Sequence, residues 1–323
     1  MIIAIDVGGT KISAALIADD KILEQRKIAS VIHSDLIHLS QYLITLCQDW
    51  VGQATHIAIA CTGQVGDEYV NFLSAKQKLP LKAQLESAFN LPVTIINDAA
   101  AAAWAEYCAI KTMATDGTHA TDTDPNADVN VDINSKAEAK AHNDDTLVYI
   151  TVSTGIGGGI IQNGQLVTCP DGFCAHLGHT SVQHNSQQSI VCHCGRINCA
   201  EAIASGTAIA KQASLILNKK VSCKEVFEQY LAVAEIAQLI DDASSAVCDL
   251  IANIKAVTGT NIVVLGGSVG SVDIFHQQVL AKVTNLPEIY QVRITPPKMG
   301  ADADLMGAAF YANKKSKYYL KTS

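Results

Sequence analysis

The chain has 323 residues, 49% of them apolar and only 17% charged, which suits two well-filled cores and excludes a disordered chain. Its 23 basic and 31 acidic residues leave a formal charge of −8, which argues against nucleic acid or an anionic membrane as partner. The opening residues read as a strand and not a signal peptide, and no window is apolar enough to span a bilayer. The ten cysteines are therefore expected to be buried thiols plus a metal cluster in a cytoplasmic protein.

The first element is a hairpin. Ile2–Ile17 is an apolar run, a glycine turn and a second apolar run. Its turn is Asp6, Val7, Gly8, Gly9, Thr10 and Lys11. Glycines let backbone N–H groups approach a phosphate, Thr10 adds a hydroxyl donor, and Asp6 can hold a water bound to Mg²⁺. The same residues also make an ordinary hairpin, and both readings stand at this point. Helix-like stretches at Asp35–Trp50 and Leu81–Phe89 alternate with strand-like runs at His56–Ala60 and Val93–Ile96. Asn97 and Asp98 then precede an alanine-rich helix over Ala99–Ala109. Both residue types are preferred helix N-caps, worth about 1 kcal/mol. An Asp98 projecting into a crevice is also placed to accept a proton from an attacking hydroxyl. The two roles are compatible if Asn97 caps and Asp98 reacts.

Lys111–Asp145 breaks this rhythm. It has no aromatic residue, and its eight acids and three bases carry −5 of the chain's −8. It reads as a flexible insertion between an N-terminal lobe (residues 1–110) and a C-terminal lobe (residues 146–304). The last helix-like stretch, Leu305–Asn313 within residues 305–323, is expected to return to the first lobe.

Leu147–Ile161 repeats the layout of the first hairpin, with Ser153-Thr154-Gly155-Ile156-Gly157-Gly158-Gly159 at its turn. No Gly-Lys-Ser/Thr follows, so it is not a Walker motif. Ile160 and Ile161 continue a strand, so it does not open a helix as a dinucleotide fingerprint does. Two such turns on facing lobes suit a pair of phosphate clamps for ATP. Ala232–Val257 is helix-like, and a third glycine turn, Gly266–Gly270, follows the strand-like Ile262–Leu265. It sits at a strand's carboxyl end, where open sheets bind ligands, and its backbone can lie against adenine or ribose. The alternation predicts an α/β fold with partly parallel sheets, built from a duplicated unit.

His179, Cys192, Cys194 and Cys199 offer one imidazole and three thiols, the donor set of a closed tetrahedral zinc site. Four protein ligands leave no open position, so such a zinc is structural. Buried cysteines beside a histidine are the plainer alternative, and the clustering of three thiols favours the metal.

Several motifs together are similar to the ROK family of sugar kinases and repressors. They are Asp6-x-Gly-Gly-Thr-Lys11, Thr62-Gly63, Asn97-Asp98-Ala99, Ser153-Thr154-Gly155-x-Gly157-Gly158-Gly159, Gly178-His179, and Cys192-x-Cys194-Gly195-x-x-x-Cys199-x-Glu201. The likeness covers nearly the whole chain except residues 111–145. It implies the two-lobed actin-like, ribonuclease-H-like ATPase fold, a structural zinc, a homodimer, and phosphoryl transfer from ATP to a sugar hydroxyl with Asp98 as general base.

The resemblance also implies ATP and Mg²⁺ contacts along the first turn, at Ala4, Ile5, Asp6, Val7, Gly8, Gly9, Thr10 and Lys11. A second set covers Thr154, Gly155, Ile156, Gly157, Gly158, Gly159, Ile160, Ile161 and Gln162, and Gly267 completes the site. Sugar contacts are implied at Gly63, Asn97, Asp98, His176, His179 and Glu201. Within the family, Ala101–Glu106, Ile150–Gly155 and Cys199–Gly206 look like the bacterial branch that phosphorylates N-acetylmannosamine at its 6-hydroxyl. His176 points the same way, since glucokinase-like members usually carry glutamate there. The alternatives are another sugar of the same family, or a sugar-sensing repressor. Family repressors carry a helix-turn-helix ahead of the first strand, and this sequence opens at that strand. One departure is Asn198, where the family usually has glycine. Asn tolerates a left-handed backbone, so the turn is expected to survive.

Overall fold

Each half of the chain builds one five-stranded sheet, and the two sheets share one strand order. The computed structural model describes residues 1–72, 75–115, 146–183 and 189–322. In the first half the chain runs β1 (Ile2–Val7), β2 (Lys11–Ala18), β3 (Lys21–Ala29), α1 (Leu39–Cys47) and β4 (His56–Cys61). There follow β5 (Gln64–Val65), β6 (Val70–Phe72), β7 (Gln77–Leu79), α2 (Leu81–Phe89), β8 (Val93–Asn97) and α3 (Asp98–Thr115). The second half has β9 (Leu147–Val152), β10 (Ile156–Gln162), β11 (Gln165–Leu166), α4 (Ala200–Ala204), α5 (Gly206–Ile216) and α6 (Cys223–Gln229). It ends with α7 (Ala234–Thr258), β12 (Ile262–Gly266), α8 (Gly267–Gly270), α9 (Asp273–Thr284), β13 (Arg293–Thr295) and α10 (Ala303–Thr322).

The order is β3-β2-β1-β4-β8 in one sheet and β11-β10-β9-β12-β13 in the other. Each begins as an antiparallel hairpin meander and continues in parallel strands. This is the duplication that the two hairpins announced. The central strands are covered on both faces, so β1 is buried at every residue and is apolar throughout except for Asp6. The edge strand β3 is instead largely exposed and charged, which blocks pairing with another sheet.

Two helices bind the halves together. One core contains Ala101–Trp104 of α3 and Ala308, Ala309 and Ala312 of α10, packed on Ala4 and Ala58 of the first sheet and on Tyr149 and Val264 of the second. Small residues permit close approach. A Cβ on Gly307 would lie 1.8 Å from the Ala101 carbonyl oxygen, so the backbones of α3 and α10 touch. The last helix thus reaches the first sheet, as the sequence led us to expect. Separate apolar cores fill the outer face of each sheet.

Some elements differ from expectation. Asp35–Trp50 is not one helix. α1 is flanked by tight turns at Leu36–His38 and Gln48–Gln53, where Trp50 turns inward and its indole N–H donates to Glu24 (2.9 Å). The presumed insertion does not begin at Lys111, because α3 continues to Thr115. Residues 116–145 lie outside the described residues. The sheet β5-β6-β7 has strands of two or three residues, too short to show alternation in sequence. Among the described residues, no helix is long and apolar enough to cross a membrane.

Candidate active site

The parallel strands β1, β4 and β8 end together, and their carboxyl ends carry Asp6, Thr62–Gly63 and Asn97–Asp98. Register fixes this arrangement, with Asp6 opposite Ala60 and Cys61 opposite Asn97. The Thr62 N–H donates to the Val7 carbonyl (3.0 Å), tying two of these ends. Asn97 acts as the cap of α3: its Oδ1 accepts from the Ala100 N–H (3.2 Å), and its amide donates to the Gly63 carbonyl (3.1 Å). Its side chain is thus engaged within the protein at both ends. Asp98 is left half-buried beside it, with Oδ1 accepting the Ala99 N–H at 2.8 Å. Burial raises its proton affinity, while hydrogen bonds from Ala99 and Thr62 pull the other way.

Asp6 is 7% exposed, and its pKa is pushed up to about 7. Burial is the main cause, followed by the charge of Asp98, with Lys11 opposing. A further acid faces this group. Asp304, in the first turn of α10, is pushed up to about 8 by burial and then by Asp6 and Asp98. Sequence reasoning missed Asp304, because acids in the first turn of a helix are ordinary partners of its dipole. Nothing local shows that α10 returns to the carboxyl end of β1.

The first turn is open. The Gly8 N–H donates to the Lys11 carbonyl (3.0 Å), while Gly9, Thr10 and Lys11 are exposed. Ala4, Ile5 and Val7 are fully buried in the strand behind it, and their side chains belong to the cores. The second turn is narrower than its glycines suggested. Thr154 is exposed between Ser153 and Gly155. Beyond it, a Cβ on Gly159 would lie 2.5 Å from Ala103 Cβ, and one on Gly158 would lie 2.3 Å from Leu177. A Cβ on Gly157 would sit 3.0 Å from Ala99. These three glycines exist so that α3 and the Leu177 turn can lie directly on β10. Ile160, Ile161 and Gln162 continue down the strand, Ile161 is fully buried, and Gln162 is roughly 20 Å along the chain from the turn. The third turn joins the second through the Ser153 and Ser268 hydroxyls, 3.0 Å apart. Gly267 has φ +90°, and a Cβ there would lie 2.3 Å from the Val152 carbonyl oxygen.

His179, Cys192, Cys194 and Cys199 place their ligand atoms within 4.8 Å of one another. The Cys194 and Cys199 sulfurs are 3.7 Å apart, as are the Cys192 sulfur and His179 Nδ1. Ligands about 2.3 Å from a tetrahedral zinc are separated by roughly 3.8 Å, so the donor set fits that ion. It does not fit a disulfide, and all ten cysteines are free thiols. Asn198 has φ +54°, the left-handed conformation expected of a glycine there, and its Oδ1 also accepts the Ile190 N–H (2.9 Å).

Beside the cluster, the Phe173, His176 and His179 rings lie nearly parallel. Centroids are 4.7 Å apart for the first pair and 6.4 Å for the second. His176 Nε2 lies 3.2 Å from the Gly172 carbonyl oxygen, so Nε2 carries the proton and Nδ1 of a neutral ring is an acceptor. Glu201 lies close by, with Oε1 at 3.4 Å from His193 Nδ1 and Oε2 accepting the Ile156 N–H at 2.9 Å.

Two sheets of matching topology, with glycine turns at their carboxyl ends and an acid at the start of the linking helix, define the actin-like ATPase class of fold. Comparisons with known proteins give the family. The ROK family pattern matches residues 2–116 and 114–315, and the chain belongs to that family. It is 36% identical over 317 residues to the N-acetylmannosamine kinase of Escherichia coli O127:H6, covering 96% of this chain and 97% of that one. It is 30% identical over 313 residues to the N-acetylmannosamine kinase of Vibrio cholerae, covering 95% and 98%. A Streptomyces griseus ROK glucokinase, solved with glucose and AMPPNP, shares the fold with a TM-score of 0.69 at 22% identity, over 97% of this chain and 99% of its own. A ROK transcriptional regulator also shares it (TM-score 0.72, 20% identity, 95% of this chain), but only 76% of that regulator is covered.

Proposed function

We propose that the protein is an ATP-dependent sugar kinase that transfers the γ-phosphoryl group to the 6-hydroxyl of N-acetyl-D-mannosamine, in the cytoplasmic breakdown of sialic acid. The observation that carries the chemistry is Asp98, half-buried at the carboxyl end of β8, with its proton affinity raised by burial and its oxygen oriented by the Ala99 N–H. A carboxylate so placed accepts a hydroxyl proton as the oxygen attacks phosphorus. The exposed first turn and Thr154 in the second supply backbone and hydroxyl donors for the phosphates. Asp6 is the residue to hold the water shell of a Mg²⁺ ion, which neutralises phosphate charge when bound with ATP. Thr62 and Asn97 orient Asp98, and the aromatic stack with Glu201 forms the wall against which the sugar lies.

The choice of sugar rests on the named relatives and on His176. An imidazole acceptor beside the sugar suits an acetamido N–H without the charge that glutamate would bring. A structural zinc on His179, Cys192, Cys194 and Cys199 would pin this wall. His179 would use Nδ1 for the metal and keep Nε2 for the sugar. Incubation with N-acetylmannosamine, Mg²⁺ and ATP should yield stoichiometric ADP and a product phosphorylated at carbon 6, read by phosphorus–proton NMR. Hydrolysis of ATP with no sugar phosphate formed would refute the proposal.

A further inference from the structure

We propose that Glu201 is a positioning residue for the nucleotide, clamping the second phosphate turn so that the metal loop governs phosphate binding as well as the sugar wall. The proposal rests on the nucleotide reading of that turn. Glu201 stands in the first turn of α4, whose preceding residue is the cluster cysteine Cys199. Its Oε2 accepts the Ile156 N–H at 2.9 Å, directly under the turn. A Cβ on Gly155 would lie only 2.6 Å from that oxygen, so a side chain there would push the carboxylate aside.

The same segment continues the grip. At the start of α5 the Gly206 N–H donates to the Ser153 carbonyl (2.7 Å), and the Thr207 N–H donates to the Thr154 carbonyl (3.3 Å). The Thr207 hydroxyl donates to that carbonyl too, at 2.8 Å. Residues 201–207 therefore bind the turn at Ser153, Thr154 and Ile156, while Thr154 itself stays exposed. A turn held in its binding shape loses less conformational freedom when phosphate arrives, and affinity rises accordingly. Cys199 is the anchor of this segment. Loss of the metal should release α4, and with it the turn some residues away from any metal ligand.

The test uses the full-length, metal-loaded protein without sugar, and reads the dissociation constant of Mg-AMPPNP by calorimetry. Glu201→Ala should weaken binding about tenfold, the scale of one hydrogen bond to a charged group. Glu201→Gln keeps an acceptor for the Ile156 N–H and should stay within about threefold of wild type. Removal of the metal by a chelator should weaken wild-type binding by at least as much as Glu201→Ala. Hydrogen exchange on the wild-type protein gives a check that needs no variant. The Ile156 amide should be protected with metal bound and exchange faster after chelation.

Unchanged affinity in Glu201→Ala, with only the sugar KM raised, would make Glu201 a sugar ligand alone and overturn the proposal. An Ile156 amide that exchanges equally fast with and without metal would also overturn it, even if Glu201→Ala fails to fold. Wild-type protein that binds no Mg-AMPPNP would bring down the nucleotide reading itself, and the proposal with it.

Discussion

The two glycine-rich hairpins occupy matching places in matching sheets, yet their glycines answer to different forces. In the first turn a Cβ on Gly9 would meet nothing within 4 Å, so glycine there leaves open space beside exposed backbone. In the second, Gly157, Gly158 and Gly159 are crowded by α3 and Leu177, and glycine there removes a clash. Glycine leaves one turn open and lets the other take close helix-to-strand contact. The two turns are consequently asymmetric: the first is open, whereas the second is narrow and held from behind by Glu201, Gly206 and Thr207. Between them stands Asp98, at the head of the helix whose packing demands the second set of glycines.

The largest effect should come from that helix head. Asp98→Asn keeps the shape and the contact with Ala99 but removes the base. Turnover should fall by about 10²- to 10⁴-fold, with sugar affinity by calorimetry little changed. A variant with near wild-type kcat would take Asp98 out of the reaction and leave the two turns without a shared centre.

Next in size is the contrast between glycines. Gly159→Ala drives a methyl to 2.5 Å from Ala103 and should destabilise the fold by about 1–3 kcal/mol, seen as a lower midpoint in thermal melts. Gly9→Ala should leave the melting midpoint within the range of a neutral surface change, about 0.5 kcal/mol, while raising the KM for ATP. If both variants melted alike, the comparison between the turns would fail.

A smaller effect concerns the acids behind the first turn. Asp6, at about 7, and Asp304, at about 8, hold protons in the fold that carboxyls of the unfolded chain release near 3.8. Folded protein thus binds more protons than unfolded protein from 3.8 up to these values, so stability falls as pH rises across that range and levels off above about 8. Asp304→Asn removes one of the facing charges. It should stabilise the nucleotide-free protein by about 1 kcal/mol or more at pH 8.5 and leave it nearly unchanged at about pH 3, where the acid is protonated in the folded and the unfolded chain alike. Equal effects at the two pH values would mean that Asp304 does not act on Asp6 through charge.

Local patterns were legible in the sequence and long-range juxtapositions were not. The hairpins, the parallel strands and the Cys/His cluster each lie within a short window, and spacing alone was enough to find them. Asn198 was foreseen in its left-handed conformation, because that property belongs to the residue itself. Gly158 and Gly159 were read for ligand contact alone, and the packing of Leu177 and Ala103 on them had no local signature. Glu201 was assigned to the sugar through its motif, and its bond to Ile156, 45 residues away, had no local signature. Asp304 was missed on the same ground. Its partner Asp6 lies at the other end of the chain, and only the return of α10 brings them together.

The central claim is the identity of the acceptor. An equimolar mixture of N-acetylmannosamine, N-acetylglucosamine and glucose should be offered with ATP and Mg²⁺, and the products followed by NMR from the first turnovers. N-acetylmannosamine 6-phosphate should accumulate first and dominate. Early dominance of glucose 6-phosphate or N-acetylglucosamine 6-phosphate would contradict the account at His176, where the choice of sugar was placed.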